Sequence, residues 1–187
     1  MDPIDRGSTD AFVFAHQRYA IIRDTALIVT MSRAEATAPL PGNVAFTPLT
    51  PRAVHAFQLQ WRGRHWTGNG GWPWTLLAHR FTRKPRSFHA ALWSGPRLCG
   101  LCVGRVSKGR KHLTLHFMES APDRNHPLRG FVTPLMFEAA RNYGAALGVE
   151  KLLLRDPLPG LMPRYARFGF TLVGNTRGPV YLERDVA

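Results

Sequence analysis

The stretch RGFVTPLMFEAARNYGAALGVEKLLLRDPLPGLMPRYARFGF, residues 129–170, decides the fold. Leu135, Met136, Ala139, Ala140 and Tyr143 recur at three- and four-residue intervals. That spacing predicts one apolar face of a helix from about Thr133 to Leu147. Gly148 is its stop, because glycine takes the left-handed conformation that closes a helix. Lys151 to Arg155, centred on three leucines, predicts a buried strand. Leu161 to Phe168 predicts a short helix, with strands at Phe170–Val173 and Val180–Leu182 after it.

On the N-terminal side the pattern changes to a period of two. Phe88 to Trp93 is bounded by Ser94-Gly95-Pro96, and Leu98 to Val106 by Ser107-Lys108-Gly109. In His112 to Met118, Leu113, Leu115 and Phe117 alternate with Thr114 and His116. Three such runs joined by tight turns predict an antiparallel meander. Before them, Val44 to Leu49 predicts a strand, and Thr50-Pro51 a helix start with proline in the first turn. Val54, Phe57 and Trp61 carry that helix, and Thr75 to Arg80 predicts another. The order from Val44 is β-α-α-β-β-β-α-β-α-β-β, an α/β fold with a mixed central sheet. Residues 1–42 read as a short N-terminal extension to a domain at 43–187, ending in Ala38-Pro39-Leu40-Pro41-Gly42. Within the extension Ala11 to Tyr19 predicts a short helix and Ala26 to Thr30 a short strand.

Composition bounds the function classes. The 187 residues are 44% hydrophobic and include 11 Phe, 5 Trp and 4 Tyr, too apolar for a disordered polymer. No uncharged apolar run is long enough to span a membrane, and residues 12–31 lack the order of a signal peptide. Two cysteines make no disulfide framework, which points to a reducing, cytoplasmic compartment. Cys99 and Cys102 lie three apart on a strand, so alternation would send their sulfurs to opposite faces, and no metal site is expected. No nucleophile elbow, phosphate-binding lysine loop or His-Glu-x-x-His occurs.

The charge of +13 is unevenly placed. Between Glu35 and Glu119 there is no acid, yet that span holds Arg52, Arg62, Arg64, Arg80, Arg83, Lys84, Arg86, Arg97, Arg105, Lys108, Arg110 and Lys111. A field of one sign attracts polyanions, so tRNA or another nucleic acid is an expected partner. Arg62 and Arg64 adjoin a glycine-rich loop with Trp66, Trp72 and Trp74, the mixture of cation and aromatic that contacts nucleic acid. These five are the candidate acceptor-binding residues; for the tryptophans the alternative is core packing.

Arg129-Gly130 opening a helix after a meander, the helix ending at Ala146-Leu147-Gly148, the leucine strand and Tyr165-x-x-x-Gly169-Phe170 together resemble the GCN5-related N-acetyltransferase (GNAT) superfamily. The resemblance covers roughly residues 44–184. It implies an acetyl-CoA donor, an amine acceptor and no metal. The family's phosphate loop, Arg/Gln-x-x-Gly-x-Gly/Ala, aligns on Gly130 and departs at Pro127 and Val132. Pro127 brings no N–H, Val132 brings bulk, and Arg124, His126 and Arg129 bring charge. Carried over residue by residue, Arg124, Arg129, Gly130, Phe131, Val132 and Thr133 would meet the pyrophosphate, and Met118 and Ser120 the pantetheine arm. Tyr165 would protonate the departing thiolate; its alternative is packing with Phe168 and Phe170. Glu119 would receive the amine proton; its alternative is a salt bridge with Arg124 or Lys111. His112 and His116 are candidate proton relays. The expected acceptors are aminoacyl-tRNA or a protein amine, with a homodimer among the expected assemblies. The competing reading is a GNAT-like module that binds nucleic acid or protein without catalysis.

Overall fold

The computed structural model describes residues 6–37, 39–64, 70–174 and 178–187. Its elements run α1 (Arg6–Thr37), β1 (Val44–Thr47), α2 (Pro51–Gln60), α3 (Trp74–Thr82), β2 (Ser87–Ser94), β3 (Arg97–Val106), β4 (His112–Ser120), α4 (Val132–Ala146), β5 (Lys151–Arg155), a 3-10 turn (Pro159–Leu161), α5 (Met162–Ala166), β6 (Thr171–Val173) and β7 (Tyr181–Asp185). From Val44 onward this is the order expected from periodicity. The seven strands form one sheet, β1-β2-β3-β4-β5-β7-β6, antiparallel except for the β4–β5 pair.

Residues 6–37 differ from the expectation: the predicted short helix and strand are one continuous helix. The cause is visible in its sides. Ala26, Leu27 and Thr30 are buried against the body, while Phe14, Ile21 and Ile28 stand exposed on the outside. Apolar residues on both sides hide the helical period, and Ile28-Val29-Thr30 imitates a strand. Asn142 on α4 donates to Thr30 Oγ1 at 2.9 Å and accepts from Arg33 at 3.2 Å, fixing α1 on α4.

Two cores flank the sheet. α1, α4 and Tyr165 share one with Phe88, Leu113, Leu115 and Leu152. α2 and α3 share the other with Trp61, Trp74, Leu101 and Phe117. Thr50 caps α2, accepting from the Ala53 N–H. Two irregularities redirect side chains. The β2–β3 register slips between Leu92 and Trp93, and Cys99 is the extra residue. Cys99 and Cys102 therefore point into the same core, not to opposite faces as alternation suggests. The β3–β4 register slips between Val103 and Gly104, leaving His116 as the extra residue of β4. Leu113 and Leu115 face α4, whereas Phe117, two residues on, faces α2 and α3. Among the described residues no helix is long and apolar enough to cross a membrane.

Candidate active site

β4 and β5 pair only from His112↔Lys151 to Leu115↔Leu154. Beyond Leu115 the strand continues to Ser120, bonded to β3 through Phe117↔Val103 to Ser120↔Gly100, while its other edge has lost β5. The sheet divides there. A cleft of about 530 Å³ fills the opening, floored by Met118, Glu119 and Ser120 and walled by Val132 and Thr133 of α4 and Arg164 and Tyr165 of α5. Trp72, Arg124, Leu158 and Leu161 complete its rim. A smaller hollow of about 90 Å³ adjoins it and shares Trp72, Met118, Leu158, Leu161 and Tyr165.

Tyr165 is one of the residues the two share. It is 8% exposed, and its ring meets Phe137 edge to face at 5.7 Å. Burial pushes its phenol pKa up, with Arg164 opposing, so the hydroxyl is in its acid form at neutral pH. Glu119 is 6% exposed. Its carboxylate accepts from the Gly71 N–H and from Trp74 Nε1, each at 2.6 Å. It therefore holds Gly71 and Trp74 beside the cleft.

The turn before α4 is held from below. His126 and Leu128 are buried, and Ser120 Oγ and His126 Nε2 lie 2.9 Å apart, tying the end of β4 to the turn. Arg129 donates to the Arg124 carbonyl at 3.2 Å. Gly130 has φ +88°, and an added Cβ would meet nothing within 4 Å, so glycine is required by its backbone and leaves the space above it open.

Solved structures share this fold. A protein assigned to the GNAT family from Desulfovibrio desulfuricans superposes with TM-score 0.58 at 14% identity, over 78% of this chain and all of that one. The ribosomal-protein-S18-alanine N-acetyltransferase of Escherichia coli gives 0.58 at 16%, over 78% and 95%. An aminoglycoside 6'-N-acetyltransferase complexed with coenzyme A gives 0.55 at 14%, over 76% and 97%. The chain has the GNAT fold. No protein-family model and no curated protein matches it in sequence.

Within the GNAT fold, the candidate residues divide into groups. Met118, Glu119, Ser120, Arg124, Val132, Thr133, Tyr165 and Trp72 meet at the cleft. Arg129, Gly130 and Phe131 are exposed in the turn leading to α4 but are not among the residues that wall it. Phe131 lines instead a cavity of about 630 Å³ between α1 and α4. Trp74 is fully buried in the α2–α3 core, so it serves Glu119 and offers no face to an acceptor. Trp72 is 38% exposed and meets Phe117 at 5.0 Å. Arg64 lines a separate hollow with Gln60, Trp61 and Asp123, Arg62 is exposed outside the cleft, and Trp66 lies outside the described residues. His112 and His116 do not reach the cleft; both line a basic concavity beyond it.

The Val132 side chain is 3% exposed and packs down onto β3. A Cβ on Gly100 would meet Val132 Cγ1 at 2.5 Å, so the glycine makes room for it. The cleft residues that escaped the sequence reading are Ala121, Pro122, Leu158, Leu161 and Arg164; Arg164 was legible as the cation immediately before Tyr165. Among the described residues no group of three or more His, Cys, Asp or Glu could hold a metal.

Proposed function

We propose that the chain is an acyl-CoA-dependent N-acetyltransferase whose acceptor amine belongs to a polyanion-associated molecule, aminoacyl-tRNA or a protein. The observation that carries this is the divided sheet: β4 leaves the backbone of 117–120 without β5, and a buried tyrosine stands where the cleft meets the adjoining hollow. The residues fit a pantetheine-linked donor. An unpaired strand edge offers amide and carbonyl groups to an extended arm. At α4 the N–H groups of Val132 and Thr133 with Arg124 and Arg164 suit a diphosphate, while Pro134 supplies no donor. Acetyl-CoA supplies the activated acyl group.

In this reading Tyr165, which its raised pKa keeps protonated at neutral pH, holds a proton at its phenol oxygen and donates it to the thiolate developing at the leaving sulfur. Glu119 takes the amine proton directly or through water, its oxygens fixed by Gly71 and Trp74. Trp72 walls both hollows and limits the water reaching them. Calorimetric titration with acetyl-CoA tests the donor. Binding is expected, and none at millimolar ligand would favour the non-catalytic module instead. Tyr165→Phe is expected to lower turnover about 10- to 1000-fold with donor affinity nearly intact; unchanged turnover would remove Tyr165 from the mechanism.

A further inference from the structure

A concavity of about 320 Å³ lies at the far end of the meander, lined by Arg86, Arg105, Lys108, His112, Thr114 and His116. Its lining contains no acid. Among the described residues Arg80, Arg86, Arg105 and Lys108 have no acidic side chain within ion-pair distance. Elsewhere acids do sit beside cations: Lys151 lies 2.8 Å from Asp185, Arg155 pairs with Asp156, and Arg97 with Asp123. Uncompensated like charges gathered in one hollow raise the free energy of the empty protein, and an anion relieves them.

The hollow is also built, not merely charged. Arg86 Nη1 donates to the carbonyls of Lys108 at 2.9 Å and Ser107 at 3.4 Å, so its guanidinium is fixed against the β3–β4 turn. Ser107 accepts from the His112 N–H through its hydroxyl at 3.2 Å and from the Arg110 N–H through its carbonyl at 3.0 Å. Arg105 stands opposite Thr114 across the β3–β4 ladder. His116, the extra residue of the β4 bulge, is half-buried, and its ring lies 5.5 Å from that of Phe81. Burial, with Arg155, Arg80 and Arg105 around it, holds the ring neutral to about pH 4.

His116 lines this hollow and the 90 Å³ hollow that Tyr165 shares with the cleft. The basic concavity therefore lies across Tyr165 from the space proposed for the donor.

We propose that the concavity is a phosphate-binding subsite that anchors the acceptor, with Arg86, Arg105 and Lys108 as its cations and His112 and His116 at its wall. This rests on the donor reading for the side of the sheet it serves. Planar guanidinium groups beside a lysine suit a tetrahedral oxyanion by paired N–H donation. The phosphate belongs either to a nucleic-acid backbone or to a small phosphorylated amine.

The test uses the full chain labelled with nitrogen-15 in its histidine rings, with and without saturating coenzyme A. Inorganic phosphate is added, then a short single-stranded RNA, and the His112 and His116 ring signals are followed. Both are expected to shift, saturably, with either probe. Arg105→Gln is expected to weaken the phosphate response about 10- to 100-fold, as loss of one charge-assisted hydrogen bond does, without altering coenzyme A affinity. RNA binding that is tighter than phosphate and falls steeply with salt assigns the phosphate to a nucleic-acid backbone; equal binding assigns it to a small molecule. Absence of shifts at both histidines, or an identical response in Arg105→Gln and Lys108→Gln, overturns the subsite. Failure of coenzyme A to bind the same samples would overturn the donor reading alone, because the histidine signals report the concavity independently.

Discussion

The two hollows on either side of the β4 bulge are made of different materials. The cleft beyond Leu115 is formed by backbone that β5 has abandoned, by α4 and by apolar residues from the 157–161 turn, with Arg124 and Arg164 at its rim. The concavity below it is side-chain charge on a fully paired meander. The first is a product of topology, common to the fold. The second is a product of this sequence, drawn from its acid-free middle. A hollow built from backbone depends on strand topology, whereas one built from side-chain charge depends on which residues stand there.

Perturbations should separate the two. The largest effect is expected at Gly100→Ala, whose new Cβ would fall 2.5 Å from Val132 Cγ1 and 3.1 Å from Met136 Cε. Overpacking of this kind costs about 1–3 kcal/mol. It should displace the first turn of α4 and weaken coenzyme A binding, leaving phosphate binding at the concavity unchanged. Val132→Ala in the same chain should restore most of both losses; no rescue in chemical denaturation would show that the pair is not complementary.

Glu119→Gln comes next. The amide cannot accept at both ends, so either the Gly71 N–H or Trp74 Nε1 loses its partner. A loss of about 1–3 kcal/mol is expected, with faster amide exchange across 71–75. An unchanged exchange pattern would mean that the carboxylate does not hold this segment.

The smallest effect is on pH dependence. His116 is held neutral to about pH 4 and His89, buried near Arg23, to about pH 3. Unfolded, each ring takes a proton near pH 6.5. Below that pH the unfolded chain binds protons that the folded chain refuses, so stability is present above 6.5 and is lost on acidification toward 4 and 3. The melting temperature should fall across that window, and His116→Gln should flatten its upper part. Equal slopes in the variant and the parent chain would show that His116 is not shielded.

Much of the divided sheet was legible because its signals are local. The period-two runs with Gly-Pro and Lys-Gly turns marked the meander, and the helix face Leu135 to Tyr143 with Gly148 marked α4. What escaped was non-local. A bulge leaves no trace in a run such as Leu113 to Phe117, yet it decides which core Phe117 enters and where Glu119 points. Alternation placed the two cysteine sulfurs apart, and a one-residue slip brought them together. Acceptor contact and core packing both stayed open for Trp74, because nothing near it in sequence announces a carboxylate 45 residues away. The packing of Val132 was not legible because its partner, Gly100, sits on another element. The cations of the middle were counted correctly, but only the folded meander gathers Arg86, Arg105 and Lys108 into one hollow, away from Arg62 and Arg64.

Hydrogen–deuterium exchange of the full chain with and without coenzyme A tests the division of labour most directly. Protection is expected at 117–120 and in the first turn of α4 from Val132, with 105–112 unchanged. Protection confined to 105–112, or none in either region, would contradict a donor site in the opening between β4 and β5.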